Sequence, residues 1–132
     1  MRRLLFVCVE NSCRSQMAEA FARIEGGAAI EAWSAGSAPS GVVNGKAIAA
    51  MRELAYDLST HRSKSLAALP DTEFDAVVTM GCGDACPHVA ARRWYDWAIP
   101  CPKEMDEPAF REVRNEIARR VRELLADRDH PR

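Results

Sequence analysis

A run of apolar residues that gives way, within six positions, to a helix with an apolar stripe leaves few folds open. RRLLFVCV (2–9) followed by SQMAEAFARIE (15–25) is such a run. The first piece reads as a buried strand. The second places Met17, Ala20, Phe21 and Ile24 on one stripe, and Gly26-Gly27 ends it. The same alternation continues along the chain. AIEAW (29–33) is a second strand and SAGSAPSG (34–41) a loop by composition. Asn44 caps a helix to about Leu54. THRSKSLAAL (60–69) is a short helix closed by Pro70. FDAVVTM (74–80) is a third strand, GCGDACP (81–87) a loop, and RRWYDWAI (92–99) an edge-like fourth strand. From about Asp106 to Asp127, Phe110, Val113, Ile117, Val121 and Leu124 recur at helical spacing and predict a long core-facing helix.

Strands alternating with helices in this order predict an α/β three-layer sandwich: a parallel sheet with helices on both faces. Four strands give a flavodoxin-like order, 2-1-3-4, and one domain over residues 1–132. Ligands then bind beyond the carboxyl ends of strands 1 and 3, where the order reverses. Cys8 and Cys82, 74 positions apart, are expected on that one rim.

The bulk numbers exclude several classes. Net charge is −1, so no global field favours nucleic acid or an anionic membrane. The apolar stretches are too short to span a bilayer, and Arg2-Arg3 is followed too soon by charge to start a signal peptide. A soluble, cytoplasmic, monomeric protein is expected. Five cysteines, Cys8, Cys13, Cys82, Cys86 and Cys101, are an odd count that argues against a disulfide framework.

The loop CVENSCR joins the first strand to the first helix as Cys-x5-Arg, followed by Ser15. Residues Val9, Glu10, Asn11, Ser12, Cys13, Arg14 and Ser15 form an anion cradle. The N–H groups of a tight loop and of a first helical turn lack internal partners and point at a bound anion. Arg14 can grip two oxygens of a tetrahedral oxyanion. The same positive ends favour a Cys8 thiolate, which can attack the tetrahedral centre in line. Ser15 can hydrogen-bond to the sulfur, and Asn11 braces the loop because Asn tolerates a left-handed backbone. The alternative, a buried strand cysteine and a surface arginine, is disfavoured by the placement between an apolar strand and a capped helix. Cys13 is read as loop packing, with a regulatory thiol as the alternative. Glu10 should point outward, because a carboxylate inside the cradle would repel its ligand.

CVENSCRSQMAEAFA, SAGS (34–37) and VVTMGC (77–82) resemble the low-molecular-weight protein tyrosine phosphatase superfamily, and more closely its thioredoxin-coupled arsenate reductase branch. The resemblance covers nearly the whole chain, and NSCRSQMAE is its most specific piece; phosphatases of the fold usually carry Pro in place of Gln16. It implies reduction of arsenate to arsenite, with phosphate or sulfate as mimics. It also implies catalytic roles for Cys8, Arg14, Cys82 and Cys86. Cys8 attacks arsenate, Cys82 attacks the Cys8 sulfur and expels arsenite, and Cys86 then frees Cys8. Thioredoxin re-reduces the final disulfide, with a mycothiol- or glutathione-type donor as the alternative. No bound cofactor is expected. A phosphatase is the second function.

Three departures qualify the resemblance, one of them Val9-Glu10, where relatives commonly have Thr-Gly or Leu-Gly. Cys86 follows Cys82 by fewer residues than is common in thioredoxin-linked relatives. Where relatives carry an Asp-Pro acid, this chain reads IPCPKEMDEP with Cys101, and a thiol is a poor replacement for a carboxylic acid at neutral pH. Asp96, Asp106 and a resolving role for Cys101 stay open. Asn11, Glu19 and Ser34 match part of a potassium site of the reductases, but Arg62 and Lys64 fall at its other ligand positions, so no metal is predicted. Zinc on Cys82, Cys86, His88 and Cys101 is the minority alternative. Trp94, Tyr95 and Trp97 are read as strand packing and His61 as part of a helix start.

Overall fold

The computed structural model describes residues 2–70, 72–81 and 89–127. The expectations for Cys82, Cys86 and His88 lie outside the described residues.

Four strands, β1 (Arg2–Cys8), β2 (Ile30–Gly36), β3 (Phe74–Thr79) and β4 (Ala91–Asp96), form one parallel sheet in the order β2-β1-β3-β4. The helices are α1 (Arg14–Gly26), α2 (Gly45–Arg52) and α3 (Glu107–Ala126). β1 lies between β2 and β3, so its side chains from Leu4 to Cys8 are buried on both faces, which is why that stretch is apolar without alternation. Leu4, Phe6 and Cys8 join the larger core with α1, α2 and α3, while Leu5 and Val7 face a smaller cluster with Val77, Leu66 and Leu69. Phe110, Val113, Ile117, Val121 and Leu124 of α3 are all buried in the larger core.

Each helix start has a physical origin. Asn44 Oδ1 accepts from the Lys46 and Ala47 N–H groups at the head of α2, and Asp106 Oδ1 from Ala109 N–H at the head of α3. α1 differs: Cys13 precedes it, no side chain caps it, and no acidic residue stands in its first turn. The expected cap is missing, so the first N–H groups of α1 are open to a ligand.

Three sequence expectations are corrected. β2 continues through Ser34, Ala35 and Gly36, which composition read as loop. The expected helix over 60–69 is instead two 3-10 turns, Leu58–Thr60 and Leu66–Ala68, separated by extended chain. That stretch is pinned to the sheet: Gly36 N–H donates to Lys64 O at 2.9 Å, and Gly36 bridges Ser65. Ile24, placed on the apolar stripe of α1, is exposed.

Candidate active site

The register sets the rim. Cys8 ends β1 opposite Gly36, and Val7 pairs with Thr79 near the end of β3. Gly81, the last described residue before Cys82, lies beside Arg14: a Cβ there would come within 2.9 Å of Arg14 Nη1.

The carbonyls of the loop after Cys8 are engaged from outside it. Val9 O accepts from Ala38 N–H at 2.9 Å, Glu10 O from Ser40 N–H at 3.1 Å and Ser63 Oγ at 2.9 Å, and Ser12 O from Asn44 N–H at 3.0 Å. Asn11 O accepts from Gln16 Nε2 at 3.0 Å. In a trans peptide the carbonyl of one residue and the N–H of the next point opposite ways. Outward carbonyls on residues 9 to 12 therefore turn the N–H groups of Glu10, Asn11, Ser12 and Cys13 toward the hollow of the loop. Among the described residues none of these N–H groups meets a backbone acceptor. Asn11 makes the tight path possible with φ of 51°, the left-handed conformation expected of it.

Cys8 is 3% exposed, and its Sγ lies 2.9 Å from Ser15 Oγ. Asn11 Nδ2 donates to that hydroxyl at 2.8 Å. Arg14 is 9% exposed and anchored from behind, with Nη1 donating to Met80 O at 2.7 Å and Ile99 O at 2.9 Å. Its Nε is buried and has no partner among the described residues. An unpaired buried donor on a cation costs more than the ~1–3 kcal/mol of a neutral one, and an oxyanion oxygen would satisfy it.

Glu10 lies outward as expected. Its carboxylate meets Lys103 Nζ at 3.0 Å, and that contact raises the Lys103 ammonium above the ordinary lysine range. Cys13 is buried, and burial pushes its thiol up to about 11, so it is a neutral packing group at physiological pH. Neither open carboxylic acid is well placed to act. Asp106 is engaged as the cap of α3, and Asp96 Oδ1 accepts from Thr79 Oγ1 at 3.0 Å. Cys101 is exposed.

Behind the loop lies a buried polar layer that brings together Glu19, Ser34, Arg62 and Lys64, the positions the resemblance grouped. Glu19, 4% exposed, meets Ser34 Oγ, Arg23 Nη2 at 2.8 Å, and Lys64 Nζ at 3.7 Å. Lys64 Nζ also stands 3.4 Å from Ser34 Oγ and 3.3 Å from Arg62 O, so an ammonium occupies the place among these oxygens. His61 is not part of a helix start: it follows the first 3-10 turn, and its ring reaches Gln16 Oε1 at 3.0 Å. What sequence reasoning missed is the contact of His61 with Gln16, 45 positions apart, for which no local pattern gives a signal.

The chain matches the family model for low molecular weight phosphotyrosine protein phosphatases over residues 3–130. It is 36% identical over 129 residues to a glutaredoxin arsenate reductase of Synechocystis sp. (strain ATCC 27184 / PCC 6803 / Kazusa), covering 96% of this chain and 98% of that relative. A solved arsenate reductase in the phosphate-binding state superposes with a TM-score of 0.88 at 36% identity, over 96% of this chain and 98% of the other. A thioredoxin-dependent arsenate reductase of Corynebacterium glutamicum superposes with a TM-score of 0.77 at 32% identity, over 97% of this chain and 62% of the other.

Proposed function

This chain belongs to the low molecular weight phosphotyrosine protein phosphatase family, and we propose that it reduces arsenate to arsenite. One observation carries the choice of ligand: the buried Arg14 Nε, without a partner among the described residues, at a loop whose carbonyls at residues 9 to 12 face away. Such a site is built for a tetrahedral oxyanion, arsenate as substrate and phosphate or sulfate as mimic. Three features favour reduction over phosphoester hydrolysis. Asp96 and Asp106 are both engaged elsewhere, Cys101 stands where phosphatases of the fold carry their acid, and the relatives are named arsenate reductases.

In the proposed reaction the Cys8 thiolate attacks arsenic, and one arsenate hydroxyl takes a proton from solvent and leaves as water. Val9 through Ser15 cradle the remaining oxygens. The Cys82 thiolate then attacks the Cys8 sulfur. The sulfur–arsenic bond breaks and its electron pair stays on arsenic, giving arsenite and a Cys8–Cys82 disulfide. Cys86 attacks Cys82 and frees Cys8, and the dithiol of thioredoxin reduces the Cys82–Cys86 disulfide. Two thiols are oxidised for each arsenic reduced. The protein needs no bound cofactor for this chemistry. Among the described residues no helix is long and apolar enough to cross a membrane, and we place the protein in the cytoplasm as a single-domain monomer.

The test is NADPH oxidation coupled through thioredoxin reductase and thioredoxin, with arsenate as substrate. A parallel arm with glutathione and glutaredoxin identifies the donor. Cys8→Ser should abolish even one turnover. Cys86→Ser should allow one turnover and trap Cys8–Cys82, visible by mass spectrometry. Arsenate-independent NADPH oxidation in both arms, with p-nitrophenyl phosphate hydrolysis indifferent to Cys82→Ser, would overturn the assignment in favour of a phosphatase.

A further inference from the structure

Two of the described thiols have no part in the proposed relay, and both stand at one corner of the oxyanion loop. Cys13 is buried at the head of α1, and Cys101 is exposed in the segment that follows β4. That segment is fastened to the loop at two points that flank Cys13. At one, Ile99 O accepts from Arg14 Nη1 at 2.9 Å, and Ile99 packs in the same apolar core as Cys13. At the other, Lys103 Nζ meets Glu10 Oε1 at 3.0 Å. Residues 100–102 therefore cross the loop between Arg14 and Glu10, and Cys101 is the middle one. The crossing is buttressed further on. Pro102 is buried, Met105 N–H donates to Pro102 O at 2.9 Å, and Lys46 Nζ donates to Lys103 O and Met105 O at 3.0 Å each.

The Cys13 sulfur lies toward this crossing. Ser12 Oγ is 3.9 Å from it and 3.5 Å from Glu10 Oε1, the oxygen that Lys103 holds. The fields agree with that placement. Burial is the main cause that pushes the Cys13 thiol up to about 11, and of the neighbouring sulfurs a thiolate at Cys101 adds more than one at Cys8. Glu10 foremost, then thiolates at Cys101 and Cys13, raise the Lys103 ammonium.

We propose that Cys13 and Cys101 are a site of reversible oxidation, forming a disulfide across the oxyanion loop when a peroxide reaches the exposed thiol. The Cys101 thiolate attacks one peroxide oxygen. The O–O bond breaks, hydroxide leaves and takes up the proton that the thiol released, and Cys101 becomes a sulfenic acid. The Cys13 sulfur then attacks the sulfenic sulfur. Its proton departs with the sulfenic hydroxyl as water, and the S–S bond forms. Two thiols give up two electrons, and one peroxide becomes two waters. The dithiol of thioredoxin reverses the step by exchange. The bond needs Cα atoms about 4.4–6.8 Å apart, so it draws residue 13 and the crossing together. Cys13 N–H is one of the donors turned into the hollow, and Arg14 follows it directly, so a pull on Cys13 displaces both. The oxidised protein therefore holds its oxyanion poorly. This last step rests on the reading of the loop as an oxyanion site.

The experiment uses the full chain with Cys8→Ser, Cys82→Ser and Cys86→Ser together, which keeps only Cys13 and Cys101 of the five cysteines. Hydrogen peroxide should remove the mass of two hydrogens and link the Cys13 and Cys101 peptides, read by mass spectrometry without reduction. Thioredoxin with its reductase and NADPH should restore both thiols. Phosphate is titrated by calorimetry before and after. Oxidation should weaken its binding about tenfold or more, the loss of a hydrogen bond to a charged group. Cys101→Ser in the same background should keep the reduced affinity through the treatment. A sulfinic Cys101 beside a free Cys13, a linkage between two molecules, or a linked protein that binds phosphate undiminished overturns the inference. Should the combined variant fail to fold, disulfide mapping of peroxide-treated wild type decides by the presence or absence of the Cys13–Cys101 link. Failure of the reduced variant to bind phosphate refutes the oxyanion reading and leaves the linkage result standing.

Discussion

Gly36 offers the sharpest test of how tightly the oxyanion loop is built. A Cβ at this position would lie 2.5 Å from Val9 O, 3.0 Å from Asn11 N and 3.0 Å from Cys8 O. The backbone of Gly36 is not left-handed, so the requirement for glycine is steric, not conformational. Comfortable carbon–oxygen contact begins near ~3.5 Å, so in Gly36→Ala the Val9 carbonyl must retreat by about 1 Å. It cannot retreat alone, because it is bonded to Ala38 N–H at 2.9 Å and continues into the N–H of Glu10. A displacement of this size in a reacting geometry costs on the order of 10²-fold in rate, or about 2.7 kcal/mol of transition-state stabilisation. The overpacking itself should cost about 1–3 kcal/mol of stability. Gly26→Ala is the control. Its Cβ would strike the Ile30 side chain at 2.2 Å, away from the loop, so it should lower the melting temperature with kcat preserved. Coupled arsenate turnover and phosphate titration on both variants, with thermal denaturation, separate the two effects. Wild-type kcat/KM and phosphate affinity in a folded Gly36→Ala protein would refute the reasoning.

Arg14→Lys should lower kcat/KM for arsenate by about 10²–10³-fold, since an ammonium cannot hold the Met80 and Ile99 carbonyls and still offer a second donor to the oxyanion; phosphate should then fail to protect Cys8 from alkylation. Cys13→Ala should keep near-normal turnover, because a thiol pushed up to about 11 by burial is neutral at pH 7; loss of activity in a folded variant would give Cys13 a redox role. Lys103→Ala should weaken phosphate binding, most at low ionic strength, by exposing the loop to an unbalanced Glu10 carboxylate, and Glu10→Gln in the same background should restore it. His61 is depressed in the folded protein, so the unfolded chain binds its proton more readily. Its contribution is complete above the unfolded value near ~6.5 and is lost as pH falls below it. Melting temperature should therefore drop more steeply between pH 7 and 5 in the wild type than in His61→Asn.

Where burial is continuous, the fold was legible. β1 and β3 announce themselves as apolar runs because neighbours cover them on both sides, and α3 does so because five core residues keep helical spacing. The types of Cys8, Asn11, Arg14 and Ser15 likewise suit the contacts and the left-handed turn found in that loop. What stayed hidden depends on contacts across long separations. Ser34, Ala35 and Gly36 look like loop, yet they are small because Ser34 meets Glu19 and Gly36 presses on the backbone of residues 8 to 11. The 60–69 segment has helical composition, but its hydrogen bonds go to Gly36 and Asn11 instead. Ile24 fits a helical stripe that runs past the end of the core. Asp106 was open as an acid, whereas its place before Glu107 and Pro108 makes it the cap of α3.

The outward-facing carbonyls bear on how a catalytic cycle ends. A hollow that offers hydrogens and almost no lone pairs attracts a doubly charged arsenate. Arsenite at neutral pH is an uncharged trihydroxide, with little to gain from those hydrogens. In the proposed reaction, once the electron pair has settled on arsenic, the forces that drew the substrate in have largely vanished. Departure of the product is therefore written into the same peptide orientations that govern its arrival.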